Sequence, residues 1–184
     1  MWFGALVDAL DGNGTLPPLL VVITFDDGRE NQYEFAYPVL RKLGFTATYF
    51  PFTHALGRNP RYFTWEQFQE LQAAGMTIGS HTCLHVKVSK IRGAAQMKEE
   101  VEGSRQVLRE RLGISVDCFA YPWGVASVTA DSAIREAGYR ATRSFSGGAW
   151  QHVGTIMRLP AVPVTEKRKW DRYAAARSVR RPVE

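Results

Sequence analysis

Leu19-Leu20-Val21-Val22-Ile23-Thr24-Phe25-Asp26-Asp27-Gly28 is a continuous apolar and β-branched run that ends in two carboxylates and a glycine. Entered through Pro17-Pro18, it reads as a strand buried on both faces, as in a parallel sheet. Its polar residues come at the C-terminal end. In parallel α/β barrels that is the rim where the strand-to-helix loops carry chemistry. Gly28 lets the chain turn sharply and approach a ligand.

The pattern repeats outward from this strand. A helix is expected over 30–43, with Tyr33, Tyr37 and Leu40 on one stripe, Gly44 as its stop and Pro38 as an interior complication. A second strand follows at 46–50. Thr64-Trp65-Glu66-Gln67 has the capping-box form and opens a helix that ends at Gly75. A third strand covers 76–79. A long helix is expected over 94–112, with Met97, Val101, Leu108 and Leu112 as its apolar positions and Gly113 closing it. Further strands are expected at 116–120, 139–142 and 159–164, with a helix over 129–137. Strands alternating with helices predict parallel pairing through crossovers, as a barrel or an open sheet.

The 184 residues, 45% of them hydrophobic, are enough for one domain with a sizeable core, placed at 1–164. No apolar run approaches the ~20 residues of a membrane span. The apolar opening lacks a basic leader and is interrupted by Asp8 and Asp11, so it does not read as a signal peptide. Seven basic and three acidic residues between 165 and 184 account for four of the five net positive charges. That segment reads as a basic C-terminal extension, solvated or in contact with an anionic surface. The rest of the chain has no basic face interleaved with aromatics, and nucleic acid is not an expected partner. Cys83 and Cys118 form no zinc pattern with each other and read as partly buried thiols.

Two polar segments follow strands. Asp26 and Asp27 are adjacent, and successive side chains of a strand point to opposite sides, so the two carboxylates need not share one job. Ser80-His81-Thr82-Cys83-Leu84-His85 places two imidazoles four residues apart, on one face of a helical turn if the segment is helical. Two histidines and one carboxylate suit zinc, nickel or cobalt and leave a position open for water. The spare carboxylate is then available to take a proton. Tyr121-Pro122-Trp123-Gly124 is a rigid turn whose backbone N–H groups can face a developing oxyanion, or a plain turn with an aromatic lid. Trp65, Trp123, Trp150 and Tyr121 are aromatics available to stack on a ligand.

These segments resemble the polysaccharide deacetylase family, the NodB-homology domain of carbohydrate esterase family 4. Thr24-Phe25-Asp26-Asp27-Gly28 matches its first motif, His81-Thr82-Cys83-Leu84-His85 its second, and Phe119-Ala120-Tyr121-Pro122-Trp123-Gly124 is similar to its third. The resemblance covers 19–164. It implies an α/β fold, a distorted (β/α) barrel with fewer than eight repeats, parallel strands and an active site at the C-terminal rim. It implies one divalent metal ion, Zn2+ before Co2+ or Ni2+, and release of acetate from N-acetylglucosamine units of a polysaccharide outside the cytoplasm. Poly-N-acetylglucosamine, peptidoglycan and chitin-like polymers are the candidates.

Carried over position by position, Asp26 is the general base, Asp27, His81 and His85 are metal ligands, and the Trp123 backbone amide is the oxyanion donor. Tyr121, Pro122, Trp123 and Arg158 are the implied substrate contacts. The chain departs from the family where Ala120 stands in place of an arginine that orients the base; Arg158 or Arg143 is expected to substitute from another loop. The family's C-terminal acid motif is not evident, which leaves His152 as the candidate acid. Two other readings compete: a small cyclic-amide hydrolase of the same superfamily, and a carbohydrate-binding domain with a degenerate site. Retention of all three ligand positions counts against the first, and a base beside the ligand set counts against the second.

Overall fold

Among the described residues the chain forms six short parallel strands. In the computed structural model, β1 (Thr24–Asp27), β2 (Thr48–Pro51) and β3 (Thr77–Ile78) pair in that order, and β4 (Cys118–Ala120), β5 (Ala141–Ser144) and β6 (Leu159–Pro160) form a second sheet. Ser80 joins the two. Its N–H donates to the Cys118 carbonyl at 2.9 Å and its carbonyl accepts from Ala120 at 2.8 Å. The structure describes residues 3–17, 20–145, 148 and 151–164. The basic 165–184 segment and Trp150 lie outside the described residues.

The parallel α/β architecture agrees with the sequence; the distorted barrel expected from the resemblance is not closed among the described residues. Among the described residues β1 and β6 do not pair, so the strands form an open arc. The first strand is also shorter than its apolar run: only 24–27 forms a ladder, because its neighbour β2 is itself four residues long.

Alternate strand residues face opposite sides of the arc. Tyr49, Ile78 and Phe119 belong to the larger core with Phe68, Leu71, Val101, Leu108 and Ile134. Phe50, Cys118, Ala120, Ala141 and Leu159 belong to a second core on the other side. Helix α1 (Phe3–Leu10), which the sequence reading left unassigned, closes that side with Phe3, Leu6 and Val7. The Phe3 ring meets Phe50 edge-on at 5.7 Å, and the Phe3 N–H donates to Thr48 Oγ1 at 3.1 Å.

Two expected helices are interrupted by π-turns. The first runs through a π-turn at Gln32–Ala36 into α2 (Tyr37–Lys42), and Pro38 sits in the first turn of α2. The helix is continuous there, and the widened π-turn directly before Pro38 is where the chain accommodates the missing N–H. Helix α3 (Trp65–Ala73) begins at the expected capping box, with Thr64 Oγ1 accepting from Gln67 N at 3.2 Å and Gln67 Oε1 accepting from Thr64 N at 2.8 Å. The long helix divides into α4 (Ala94–Lys98), a π-turn at Glu99–Gly103 and α5 (Ser104–Leu112), and Gly113 ends it in the left-handed region at φ 65°. Helix α6 (Val128–Glu136) is capped by Ser127, whose side chain accepts from Ala130 N at 3.2 Å.

Gly79 marks where the two sheets approach. A Cβ there would lie 2.3 Å from the Phe50 ring and 2.8 Å from the Cys118 carbonyl oxygen. Gly79→Ala is therefore expected to lower stability by about 1–3 kcal/mol through overpacking. Urea unfolding measures this, and a midpoint equal to wild type would contradict it.

Candidate active site

The site is built from three loops at the C-terminal ends of the strands. After β1 the backbone enters the left-handed region twice, at Asp27 (φ 73°) and Gly28 (φ 71°). A Cβ at Gly28 would meet Pro51 Cβ at 2.9 Å, so both the conformation and the space require glycine. The turn sends the two carboxylates to different partners. Asp27 Oδ1 lies 3.2 Å from His85 Nε2 and 3.7 Å from His81 Nε2, while its Oδ2 accepts from Arg29 Nε at 3.1 Å. Asp26 Oδ1 instead accepts from the buried guanidinium of Arg143 on β5. The Asp26 backbone carbonyl is held by Gln32 Nε2 at 2.6 Å, from the first π-turn.

The histidine loop is not the helical turn that its spacing suggested. His81 continues the line of β3, its N–H donating to the Pro51 carbonyl at 3.0 Å. Beyond it, Thr82 (φ 72°) and His85 (φ 58°) take left-handed conformations that fold the loop back on itself. Thr82 Oγ1 accepts from His85 N at 2.9 Å, and the carbonyls of Thr82 and Cys83 accept from Thr53 and His54. The pair meets through loop closure and not through helical periodicity. Asp27, His81 and His85 each offer one ligand atom, and those atoms lie within 4.8 Å of one another.

His81 is 1% exposed. Its Nδ1 faces the Ala120 carbonyl at 2.7 Å, and since a carbonyl only accepts, Nδ1 carries the proton. The Nε2 lone pair is left facing Asp27. Burial lowers the pKa of the ring, which favours the neutral form that a metal requires. The donor set of one carboxylate oxygen and two imidazole nitrogens, one imidazole held by a backbone carbonyl, fits a divalent ion of the zinc class. Cys83 turns away from the cluster, its thiol donating to the Glu99 carbonyl at 3.3 Å.

The geometry separates the other candidate residues. Arg143, not Arg158, meets Asp26, because β4–β5 pairing sets Arg143 opposite Ala120. Arg158 is ion-paired with Asp131, to which its Nε donates at 2.8 Å. The Tyr121 side chain is fully buried with its hydroxyl on that same Asp131, and Pro122 is also buried, so neither offers a side-chain face to a sugar. Trp123 does: it is 59% exposed, and its ring centroid lies 5.3 Å from that of His85. Its φ of 62° gives the Pro122–Gly124 turn its non-helical shape. His152 is exposed at the head of the Val153–Arg158 turn, with its backbone bonded to Thr155.

Two residues near the histidines were missed in the sequence. Phe52 brings its ring to 5.5 Å from His85. Glu100, 1% exposed in the second π-turn, accepts the N–H groups of Cys83 at 2.9 Å and Leu84 at 3.0 Å on one carboxylate oxygen. These donors lie between the two histidines. Glu100 left a mark in the sequence as an acid within the stripe of Met97, Val101 and Leu108. Glu100→Ala leaves two donors without their acceptor and is expected to cost on the order of 3 kcal/mol. Chemical denaturation checks this, and a loss under ~0.5 kcal/mol would contradict the role given to the carboxylate.

Comparison with known proteins follows the same lines. The sequence profile of the family described as Polysaccharide deacetylase matches residues 13–142. A Bacillus subtilis (strain 168) protein named "Putative polysaccharide deacetylase YxkH" is 32% identical over 120 residues, covering 65% of this chain and 42% of that protein. The chain thus spans less than half the length of that relative. IcaB from Ammonifex degensii superposes with a TM-score of 0.83 at 28% identity, over 97% of this chain and 82% of that one. The Streptococcus pyogenes deacetylase PplD, solved with acetate, shares the fold with a TM-score of 0.88 at 20% identity, over 97% and 80%. With its three motifs gathered at one edge and most of its length matched by the profile, the chain belongs to the polysaccharide deacetylase family.

Proposed function

We propose that this protein is a metal-dependent hydrolase that removes N-acetyl groups from N-acetylglucosamine units of a polysaccharide. The observation that carries this reading is the convergence of Asp27, His81 and His85 while Asp26 stands beside them on a separate partner, Arg143. Asp27, His81 and His85 would hold one divalent ion, Zn2+ before Co2+ or Ni2+. Such an ion supplies Lewis acidity and brings the pKa of a bound water toward ~7.

The remaining work falls to the chain's own residues. Asp26 takes the proton from the attacking water. The Arg143 guanidinium keeps Asp26 oriented through a charge-assisted hydrogen bond. The backbone N–H of Trp123 donates to the oxyanion formed at the acetyl carbonyl, a contribution of about 10²–10³ in rate for one well-placed donor. The departing amine needs a proton, because an amide anion leaves poorly; His152 is the residue this reading assigns to it. The polymer candidates place the reaction outside the cytoplasm. No helix among the described residues is long and apolar enough to cross a membrane.

Acetate release from N-acetylglucosamine oligomers tests the reading directly. Wild type is expected to release acetate, to stop after chelation and to recover with added Zn2+, Co2+ or Ni2+. Asp26→Asn is expected to lose about 10²–10⁴ in kcat while still binding the metal. Chelator-insensitive release, or an Asp26→Asn variant as fast as wild type, would contradict the assignment.

A further inference from the structure

A groove of about 370 Å³ opens beside the proposed metal site, lined by Val86, Lys87, Lys90, Ile91, Gln96 and Trp123. It shares a wall with that site, since the Trp123 ring lies against His85. The histidine loop runs directly into it: Val86 follows His85, and the chain then makes the short 3-10 turn Val88–Lys90. That turn is anchored by two buried apolar side chains, Val88 and Ile91. The Lys90 N–H donates to the Lys87 carbonyl at 2.8 Å. Residues three apart in a 3-10 turn stack on one side. Anchoring the apolar members inward therefore presents Lys87 and Lys90 together at the groove. Lys87 Nζ also sits 5.1 Å from the centre of the Trp123 ring, which fixes one ammonium at the wall shared with the metal site.

We propose that this groove is a subsite for a negatively charged sugar unit next to the N-acetylated sugar being hydrolysed, so that the preferred substrate is an anionic amino-sugar polymer. The inference rests on the deacetylase reading and narrows its substrate class. The lining suits a charged sugar in three respects. Trp123 and Val86 offer apolar surface to a sugar face. Gln96 offers both donor and acceptor to hydroxyls. The two lysines offer positive charge, and none of the six lining residues is acidic. A neutral chitin-like chain gains nothing from the ammonium groups. A polymer already deacetylated carries ammonium groups of its own and is repelled. A carboxylate or a phosphate on the neighbouring sugar supplies the complementary charge. Lysine is a point charge without the planar fork that selects between these two, so the shared chemistry is the negative charge itself.

The test is a comparison of binding by Trp fluorescence, using metal-loaded protein carrying Asp26→Asn so that hydrolysis does not intervene. Four probes are matched in length: a neutral N-acetylglucosamine tetrasaccharide, a glycan tetrasaccharide with free lactyl carboxylates, the same glycan with those carboxylates converted to methyl amides, and a 6-phosphorylated tetrasaccharide. At least one anionic probe is expected to bind about three- to tenfold more tightly than the neutral pair, the range expected from two partly exposed ion pairs. The preference is expected to shrink in 0.5 M salt, where the screening length falls below ~5 Å. It is expected to disappear in Lys87→Gln/Lys90→Gln, and Lys90→Gln alone is expected to remove part of it without disturbing the Lys87–Trp123 contact. Tighter binding of the carboxylate probe or of the phosphate probe supports the proposal and names the source of the charge. Equal binding of all four, or a preference that survives the double substitution, overturns it. The deacetylase reading stands or falls separately, on acetate release from the neutral oligomer by wild type.

Discussion

Parallel pairing around β2 is the constraint on which the rest depends. Asp27 lies in register with Pro51 at the end of β2. On the other flank of the same residue, the Pro51 carbonyl accepts the His81 N–H. One strand end therefore sets the separation between the first carboxylate and the first imidazole. A one-residue slip would exchange the faces of Asp26 and Asp27 and dissolve the arrangement. Gly28 and Gly79, on either side, are glycines for reasons of space: one lies against Pro51 and the other against Phe50, the residue before it. The two cores then grip the sheet from opposite sides, with Tyr49 in one and Phe50 in the other.

The electrostatics of the rim follow from this placement. Adjacent carboxylates repel if they share an environment, and here each has its own cation or imidazole pair. Arg143 is 2% exposed and faces Asp26, so removing the Asp26 carboxylate would strand the guanidinium charge with little water to solvate it. Asp27 sits between two imidazoles and Arg29. The supporting contacts come from farther away than the motifs do. Both π-turns, local widenings that are frequent at functional sites, deliver a side chain to the backbone of a site loop: Gln32 to the Asp26 carbonyl and Glu100 to the N–H groups of Cys83 and Leu84.

Much of this was legible in the chain. The apolar run ending at Asp26-Asp27 was read as a parallel strand, and Thr24–Asp27 does pair in parallel with β2; its expected burial on both faces is only partial, with Val21 63% exposed. The Thr64/Gln67 capping box and Gly113 marked helix ends through local hydrogen bonding and positive φ, which depend on few residues. What escaped was non-local. Thr82 and His85 adopt left-handed backbone, for which β-branched Thr82 is an unusual residue, so an i, i+4 spacing was read as helical. Arg143 was one of the two arginines the sequence offered for Asp26; the choice between it and Arg158 rests on β5 pairing with β4, a fact of strand order that no short segment encodes. Helix α1 carries apolar Phe3, Leu6 and Val7 at helical spacing, but its value lies in a partner surface, Phe50 and Ala120, that the linear sequence does not display. The choice between barrel and open sheet stayed open in the sequence because short strands with alternating helices specify pairing between neighbours and not between β6 and β1, which do not pair among the described residues.

The central claim is that three side chains from two loops enclose one cation. Anomalous scattering from a crystal grown with Zn2+, collected on both sides of the zinc edge, measures this most directly. The account predicts a single strong peak within coordination distance of Asp27 Oδ1, His81 Nε2 and His85 Nε2, about 2.0–2.2 Å from each, with Asp26 outside that shell and on Arg143. A peak elsewhere, or one ligated by Asp26 in place of Asp27, would contradict it.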